Sequence, residues 1–229
     1  MTDGTGPGTV APVATPAPAP APAEVRASTL LATLGVGGAV AGVLLVFAYG
    51  LTLPRIEANR RHALHAAVNE VLKAPERYET LYVLDGRLTR TLPPGADPKQ
   101  LEPVYLGYAA DGRRVGFAMV AGEAGFQDVI QLIFGYDPAS RQLLGMKVLE
   151  SKETPGLGDK IEKDRAFVAQ FGEAQPPLVG VKKGKRSGPR EVDMITGATI
   201  SSKAVIRIIN RTVERLGPLV EAYAKEAKG

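Results

Sequence analysis

The chain has 229 residues, a formal net charge of +4 and no cysteine. That length suffices for one soluble domain of ordinary size plus an anchor, but not for two independent cores. Without cysteine the chain cannot ligate an iron–sulfur cluster, build a thiolate zinc site, form disulfides or carry a lipoprotein acyl group, so any redox centre has to be imported.

Residues 1–27 are dominated by Ala and Pro, a composition that favours polyproline II or disorder and cannot bury a core. Residues 28–53 carry no charge and consist mostly of Leu, Val, Ala, Gly and Phe. This run exceeds the roughly 20 residues needed to cross a bilayer. It is longer than a signal-peptide core and begins well inside the chain, so it reads as a transmembrane helix. Gly38 and Gly42 stand at GxxxG spacing, which suits packing against partner helices but also occurs in lone anchors. Arg26 precedes the span, whereas Arg55, Arg60 and Arg61 follow it, and this count alone places the following domain in the cytoplasm.

Residues 54–90 read as a juxtamembrane helix and a connection. The helix, Ile56 to Leu72, repeats apolar residues at Ala63, Leu64, Ala67, Val68 and Leu72 and stops near Pro75. His62 and His65 lie one turn apart, but no third ligand stands nearby, so they read as surface histidines and not as a metal site.

Residues 91–229 read as the functional domain. Val104–Ala109, Val115–Ala121, Val129–Tyr136 and Leu143–Leu149 have the pattern of strands. Tight turns at Asp111-Gly112 and Asp137-Pro138 imply antiparallel pairing. Gly122–Phe126 interrupts them with two glycines, as a plain loop or a flexible wall for a ligand. A short helix is expected over Asp164–Phe171, strands over Leu178–Val181 and Glu191–Ile195, and an amphipathic helix over Ser202–Leu216. The basic cluster Lys182–Arg186 reads as a solvated hairpin, because nucleic-acid binding wants interleaved aromatics and it has none. The fold class is α+β, with a mainly antiparallel sheet and packed helices behind a single N-terminal transmembrane helix.

Two segments carry chemistry. Asp193-Met194-Ile195-Thr196-Gly197-Ala198-Thr199 runs straight into Ile200-Ser201-Ser202-Lys203 and the last helix. Gly197 and Ala198 let backbone approach a ligand, and Thr196, Thr199, Ser201 and Ser202 offer hydroxyls where a helix exposes unpaired N–H groups. Such a terminus favours an anion such as phosphate, although the same hydroxyls also serve as plain N-caps. Upstream stands Glu153-Thr154-Pro155-Gly156-Leu157-Gly158. Its proline and glycines fix an irregular backbone beside a strand end and leave Thr154 and Leu157 free to touch a ring system, or simply connect a strand to a helix.

Together these two motifs resemble the flavin-binding domain shared by the G subunit of the Rnf ion-translocating electron-transport complex and the C subunit of the sodium-translocating NADH:quinone oxidoreductase. The resemblance extends from about Leu30 onward. It implies FMN joined to Thr199 by a phosphoester, made by a separate flavin transferase that consumes FAD. It places Asp193 three residues before the Thr196-Gly197-Ala198-Thr199 unit, and Glu153, Thr154, Pro155, Gly156, Leu157 and Gly158 near the isoalloxazine ring. Thr196, Gly197, Ala198, Ser201 and Ser202 complete the implied cofactor site; Lys160, Lys203 and the helix dipole are candidates to balance the phosphodiester. No catalytic or metal-ligating residue is expected, and there is no Ser-His-Asp set, GxxxxGK loop or Rossmann fingerprint.

What the resemblance implies is an electron-transfer subunit of a membrane-bound Rnf-type complex, working with the other subunits and without independent turnover. It also implies a single-pass protein of the bacterial inner membrane with a periplasmic domain, against the charge count. The quinone-reductase C subunit, a stand-alone extracytoplasmic flavin carrier and a non-redox membrane-anchored binding module remain as alternatives.

Overall fold

A computed structural model describes residues 26–226. The expected tail, residues 1–27, therefore lies almost wholly outside the described residues. The chain divides after Arg55 into two compact units.

Helix α1 runs from Ala27 to Val71 with Pro54 inside it. Its first part is apolar and exposed at Leu31, Leu34, Val43, Leu45 and Phe47. Among the described residues, α1 alone is long and apolar enough to cross a membrane. The helices expected separately over 28–53 and from Ile56 to Leu72 are one helix. Proline costs one backbone hydrogen bond, and the good helix formers on either side carry the helix through.

In the second unit the main sheet has six strands: β1 (Arg77–Leu84), β2 (Arg87–Thr89), β3 (Pro103–Tyr108), β4 (Arg114–Ala124), β5 (Val129–Asp137) and β6 (Gln142–Glu150). They are ordered β2-β1-β3-β4-β5-β6, and every pair is antiparallel. Residues 56–90 are thus more than a helix and a connection: they share the compact unit and supply two strands. The sequence conceals β1 because Leu81 alone in it is fully buried, while its other residues, Arg77, Glu79 and Thr80 among them, are half-buried or exposed. Leu81 points into the main core while Tyr78 packs with the end of α1, so apolar and polar residues do not alternate cleanly.

The sheet's two faces bury different layers, as the period of two requires. Leu106, Phe117, Met119, Leu132 and Phe134 face the long last helix, α4 (Thr199–Glu226), through its Val205, Ile208, Ile209, Leu216 and Val220. Tyr105, Ala118 and Ile133 face Ala67, Val68, Val71 and Leu72 at the end of α1. Glycines make room for that end. A Cβ on Gly107 would stand 2.8 Å from Leu72 Cδ1, and one on Gly135 would meet the Val71 backbone, with its carbonyl carbon at 3.1 Å. Helix α4 outlasts the expected Leu216, its apolar stripe continuing to Val220 across Pro218.

A short helix that was not expected, α2 (Lys160–Lys163), precedes the one expected over Asp164–Phe171, which is α3 (Arg165–Ala169) continued by a 3-10 turn over Gln170–Gly172. Asp164 separates them, its carboxylate accepting the Ala166 and Phe167 N–H groups as an N-cap. Two short strands, β7 (Val179–Val181) and β8 (Glu191–Asp193), pair in parallel. The basic segment between them is therefore a loop linking parallel strands, not the expected hairpin. Its turn is tied by the Asp193 carboxylate, which accepts the Lys185 and Arg186 N–H groups, both at 3.1 Å.

Candidate functional site

The turn before α4 is shaped by Gly197, whose φ of +84° is open to glycine and strained for other residues. It delivers Thr199 to the first position of α4, exposed to solvent. The first intrahelical bond runs from Ser202 N–H to the Ala198 carbonyl at 2.9 Å, so the N–H groups of Thr199, Ile200 and Ser201 precede the ladder.

Thr199 opens onto a cavity of about 340 Å³. Three segments build it. The β4–β5 connection gives Phe126; the loop after β6 gives Thr154, Leu157 and Gly158; the turn and start of α4 give Gly197, Ala198, Thr199, Ile200 and Ser201. Phe126, Leu157 and Ile200 are exposed large apolar side chains at 64%, 49% and 55%, a concentration that suits a flat apolar ligand.

Beneath this cavity lies Glu153, only 5% exposed. Its Oε1 accepts the Phe126 and Gln127 N–H groups at 2.9 and 3.0 Å, and its Oε2 accepts the Ser201 hydroxyl at 2.5 Å. Burial pushes its carboxyl up, but the hydrogen bonds from Ser201 and from the backbone of Gln127, Phe126 and Asp128 outweigh burial and hold it below the usual carboxylate range. One buried carboxylate thus ties all three cavity segments together. Two glycines admit it. A Cβ on Gly158 would stand 2.7 Å from Oε2, and one on Gly125 would collide with Oε1 and with Ile130.

Of the residues expected at the site, Thr154, Leu157, Gly158, Gly197, Ala198, Thr199 and Ser201 line the cavity. Glu153 sits behind it. Pro155, Gly156 and Thr196 are exposed and outside the lining, with Gly156 at φ +76° making the loop's turn. Ser202 does not offer its hydroxyl outward: it is fully buried, donates to the Ala198 carbonyl and accepts the Ile195 N–H. Ser202 is not an N-cap either: it lies inside α4, and its hydroxyl ties the preceding turn to the helix. Asp193 organises the basic loop and lines no part of the cavity; Lys160 and Lys203 do not line it either. Of the stretch Gly122–Phe126, Gly122–Ala124 are the end of β4, fastened by Arg207 to the Ala124 carbonyl at 2.6 Å and to Glu123 at 2.8 Å, while Phe126 does wall the cavity. Ile200 is the lining residue that sequence reasoning missed. The available signal was an isolated apolar residue between two hydroxyl residues, off the buried stripe of the helix. His65, read as a surface residue, bonds the Tyr78 hydroxyl.

A second cavity, of about 380 Å³, lies between α4 and the sheet. Its arginines are already engaged, Arg211 with Glu123 and Arg215 with Glu102, and it has no apolar wall comparable to Phe126 and Leu157.

The comparisons with known proteins agree with this geometry. The model of the FMN-binding domain family matches residues 125–214, a range holding every residue that lines the Thr199 cavity. The crystal structure of Shewanella oneidensis NqrC superposes with a TM-score of 0.63 over 72% of this chain and 99% of that one, at 17% identity, so the two share a fold. Fold and site thus define an FMN-binding domain behind an apolar helix. The G subunit of the Na(+)-translocating ferredoxin:NAD(+) oxidoreductase complex of Acetobacterium woodii is 30% identical over 184 residues, 79% of this chain and 87% of that protein. The G subunit of the ion-translocating oxidoreductase complex of Methanosarcina acetivorans is 29% identical over 185 residues, 81% and 92% of the two chains. The chain belongs to this family of G subunits.

Proposed function

We propose that this protein is a covalently flavinylated electron-transfer subunit of an Rnf-type ion-translocating oxidoreductase complex, anchored by α1 and carrying FMN on Thr199. The observation that carries the reading is the exposed Thr199 hydroxyl at the first position of a 28-residue helix, opening on a cavity with apolar walls. These residues fit FMN. Phe126, Leu157 and Ile200 present apolar surface to a ring system, and the leading N–H groups and dipole of α4 favour the phosphate.

The attachment is a phosphoester. The bond from Thr199 Oγ1 to phosphorus forms as the pyrophosphate bond of FAD breaks, AMP leaves and the hydroxyl proton passes to solvent. A separate flavin transferase performs this step. Bound FMN supplies one- and two-electron exchange. The chain's residues hold the group independently of affinity, cover one side of it and need supply no catalytic acid or base. Electrons pass to and from other subunits of the complex.

The test is coexpression of the full chain with a flavin transferase. The wild type is expected to keep yellow flavin through acid precipitation, and peptide mass mapping to place it on Thr199. Thr199→Val should lose it while remaining folded, whereas Thr196→Val, outside the cavity, should keep at least part. Flavin persisting on Thr199→Val through denaturing electrophoresis would defeat the assignment.

The domain is proposed to face the periplasm, where flavinylation takes place. The chain has no cysteine, so a single cysteine replacing the exposed Lys183 reports without background. It should react with an impermeant thiol reagent on intact spheroplasts. Protection until the membrane is permeabilised would place the domain in the cytoplasm, as the arginines after the span suggest.

A further inference from the structure

The most unusual group near the cavity is a buried carboxylate with no cation. Among the described residues, no salt bridge reaches Glu153. Its partners are backbone N–H groups of the β4–β5 connection and one hydroxyl, which hold it as a carboxylate but bring no opposite charge, so a full negative charge stands there. The cavity is one side-chain layer away. Ser201, whose hydroxyl lies 2.5 Å from Oε2, and Gly158, whose Cβ would lie 2.7 Å from it, are both cavity wall.

We infer that Glu153 is a positioning residue that also sets the potential of the bound redox group. This rests on the proposal that the cavity holds flavin. It has two parts. As a clamp, the carboxylate fixes Phe126 and Gln127 from the β4–β5 connection and Ser201 from α4, segments 27, 26 and 48 residues away, so that the three walls keep one spacing. As a buried negative charge with no cation beside it, it repels the negative charge that the ring system gains on taking up electrons. The oxidised form is thereby favoured, and the midpoint is more negative than the apolar walls alone would set. Field effects of this kind are large where water is excluded.

No other buried group duplicates this arrangement. Ser201, Ser202 and Thr212 are the only other buried polar side chains among the described residues, and none is charged. Gly158 and Gly125 serve the same end. Each lacks the Cβ that would occupy the space of a carboxylate oxygen, so the backbone on both sides closes over the charge and keeps water from screening it.

The experiment is a spectroelectrochemical titration of the full-length flavinylated protein in detergent, comparing wild type with Glu153→Gln and Ser201→Ala. Glu153→Gln keeps the shape and removes the charge, and should shift the midpoint positive by at least a tenfold change in the reduction equilibrium, about 30 mV for a two-electron couple. Ser201→Ala keeps the charge and removes the donor that partly offsets it, and should shift the midpoint the opposite way. A merely structural role would lower the melting temperature of both variants and leave both midpoints at the wild-type value; that result overturns the inference and leaves the flavin reading intact. If Glu153→Gln does not fold, Ser201→Ala decides: an unchanged or more positive midpoint refutes the inference. A wild-type protein that carries no flavin overturns both readings.

Discussion

Two glycines in the loop after β6 separate two physical reasons for glycine, and replacing each by alanine measures them. Gly156 has φ +76° and open space where a Cβ would stand, so alanine there meets only the left-handed backbone penalty of about 1–2 kcal/mol. Gly158 has no such φ but no space. Its added Cβ would lie 2.7 Å from Glu153 Oε2, 2.8 Å from Glu153 Cβ and 3.1 Å from Ser201 Oγ. Either the loop is pushed outward or the Ser201–Glu153 hydrogen bond opens. Overpacking costs about 1–3 kcal/mol, and a hydrogen bond to a charged group contributes about 1.5–3 kcal/mol. One displacement relieves part of both, so Gly158→Ala should cost about 2–4 kcal/mol. For a domain of this size that corresponds to a melting temperature lower by roughly 5–15 °C. The assay is thermal and urea unfolding followed by tyrosine fluorescence, since the chain has seven tyrosines and no tryptophan. Flavin-loaded protein should also show altered flavin fluorescence in Gly158→Ala, because the cavity wall itself moves, and little change in Gly156→Ala. Should Gly158→Ala fall within about 0.5 kcal/mol of wild type, the scale of an unremarkable surface substitution, or Gly156→Ala prove the more damaging, the close packing of loop, carboxylate and helix start would be refuted.

Asn210 acts as a strand partner from within a helix, accepting Leu178 N–H at 2.7 Å and donating to Leu178 O at 2.9 Å; Asn210→Ala strands both groups beside a buried leucine and should cost about 2–3 kcal/mol by urea unfolding. Gly135→Ala drives a methyl against the Val71 backbone and to 3.0 Å from Leu144 Cβ, for a loss of about 3 kcal/mol. Gly145→Ala, whose nearest neighbour would be Val71 Cα at 3.4 Å, should be far milder in the same assay. The Glu153 carboxyl is held below its ordinary value in the folded state, so its contribution is full above the unfolded value of about 4.3 and disappears as pH falls through the folded one. Unfolding free energies measured from pH 7 to pH 3 should therefore show the gap between wild type and Glu153→Gln narrowing on acidification, and a constant gap would contradict the assignment.

Much of this architecture is local and was legible in the chain. An uncharged apolar run makes a spanning helix because a bilayer tolerates no unpaired backbone, and it needs no neighbour to be recognised. The strands β3 to β6 show as mainly apolar runs bounded by local turn signals at Asp111-Gly112 and Asp137-Pro138, and α4 shows in its apolar stripe, because each of these signals is complete within a few residues. Gly197 and Thr199 stand out for the same reason: a turn into a helix start is decided within a few residues. Long-range contact decided the rest. β1 is half-buried on both faces and shows no clean period. β7 and β8 pair in parallel across a loop that, read locally, looks like a hairpin. Ser201 and Ser202 are neighbours with the same chemistry, yet one hydroxyl turns to a glutamate 48 residues away and the other back to its own turn. Only the folded chain determines which of the two meets a buried charge. A helix separates successive side chains by about 100°, and what lies in each direction is set by packing, not by sequence.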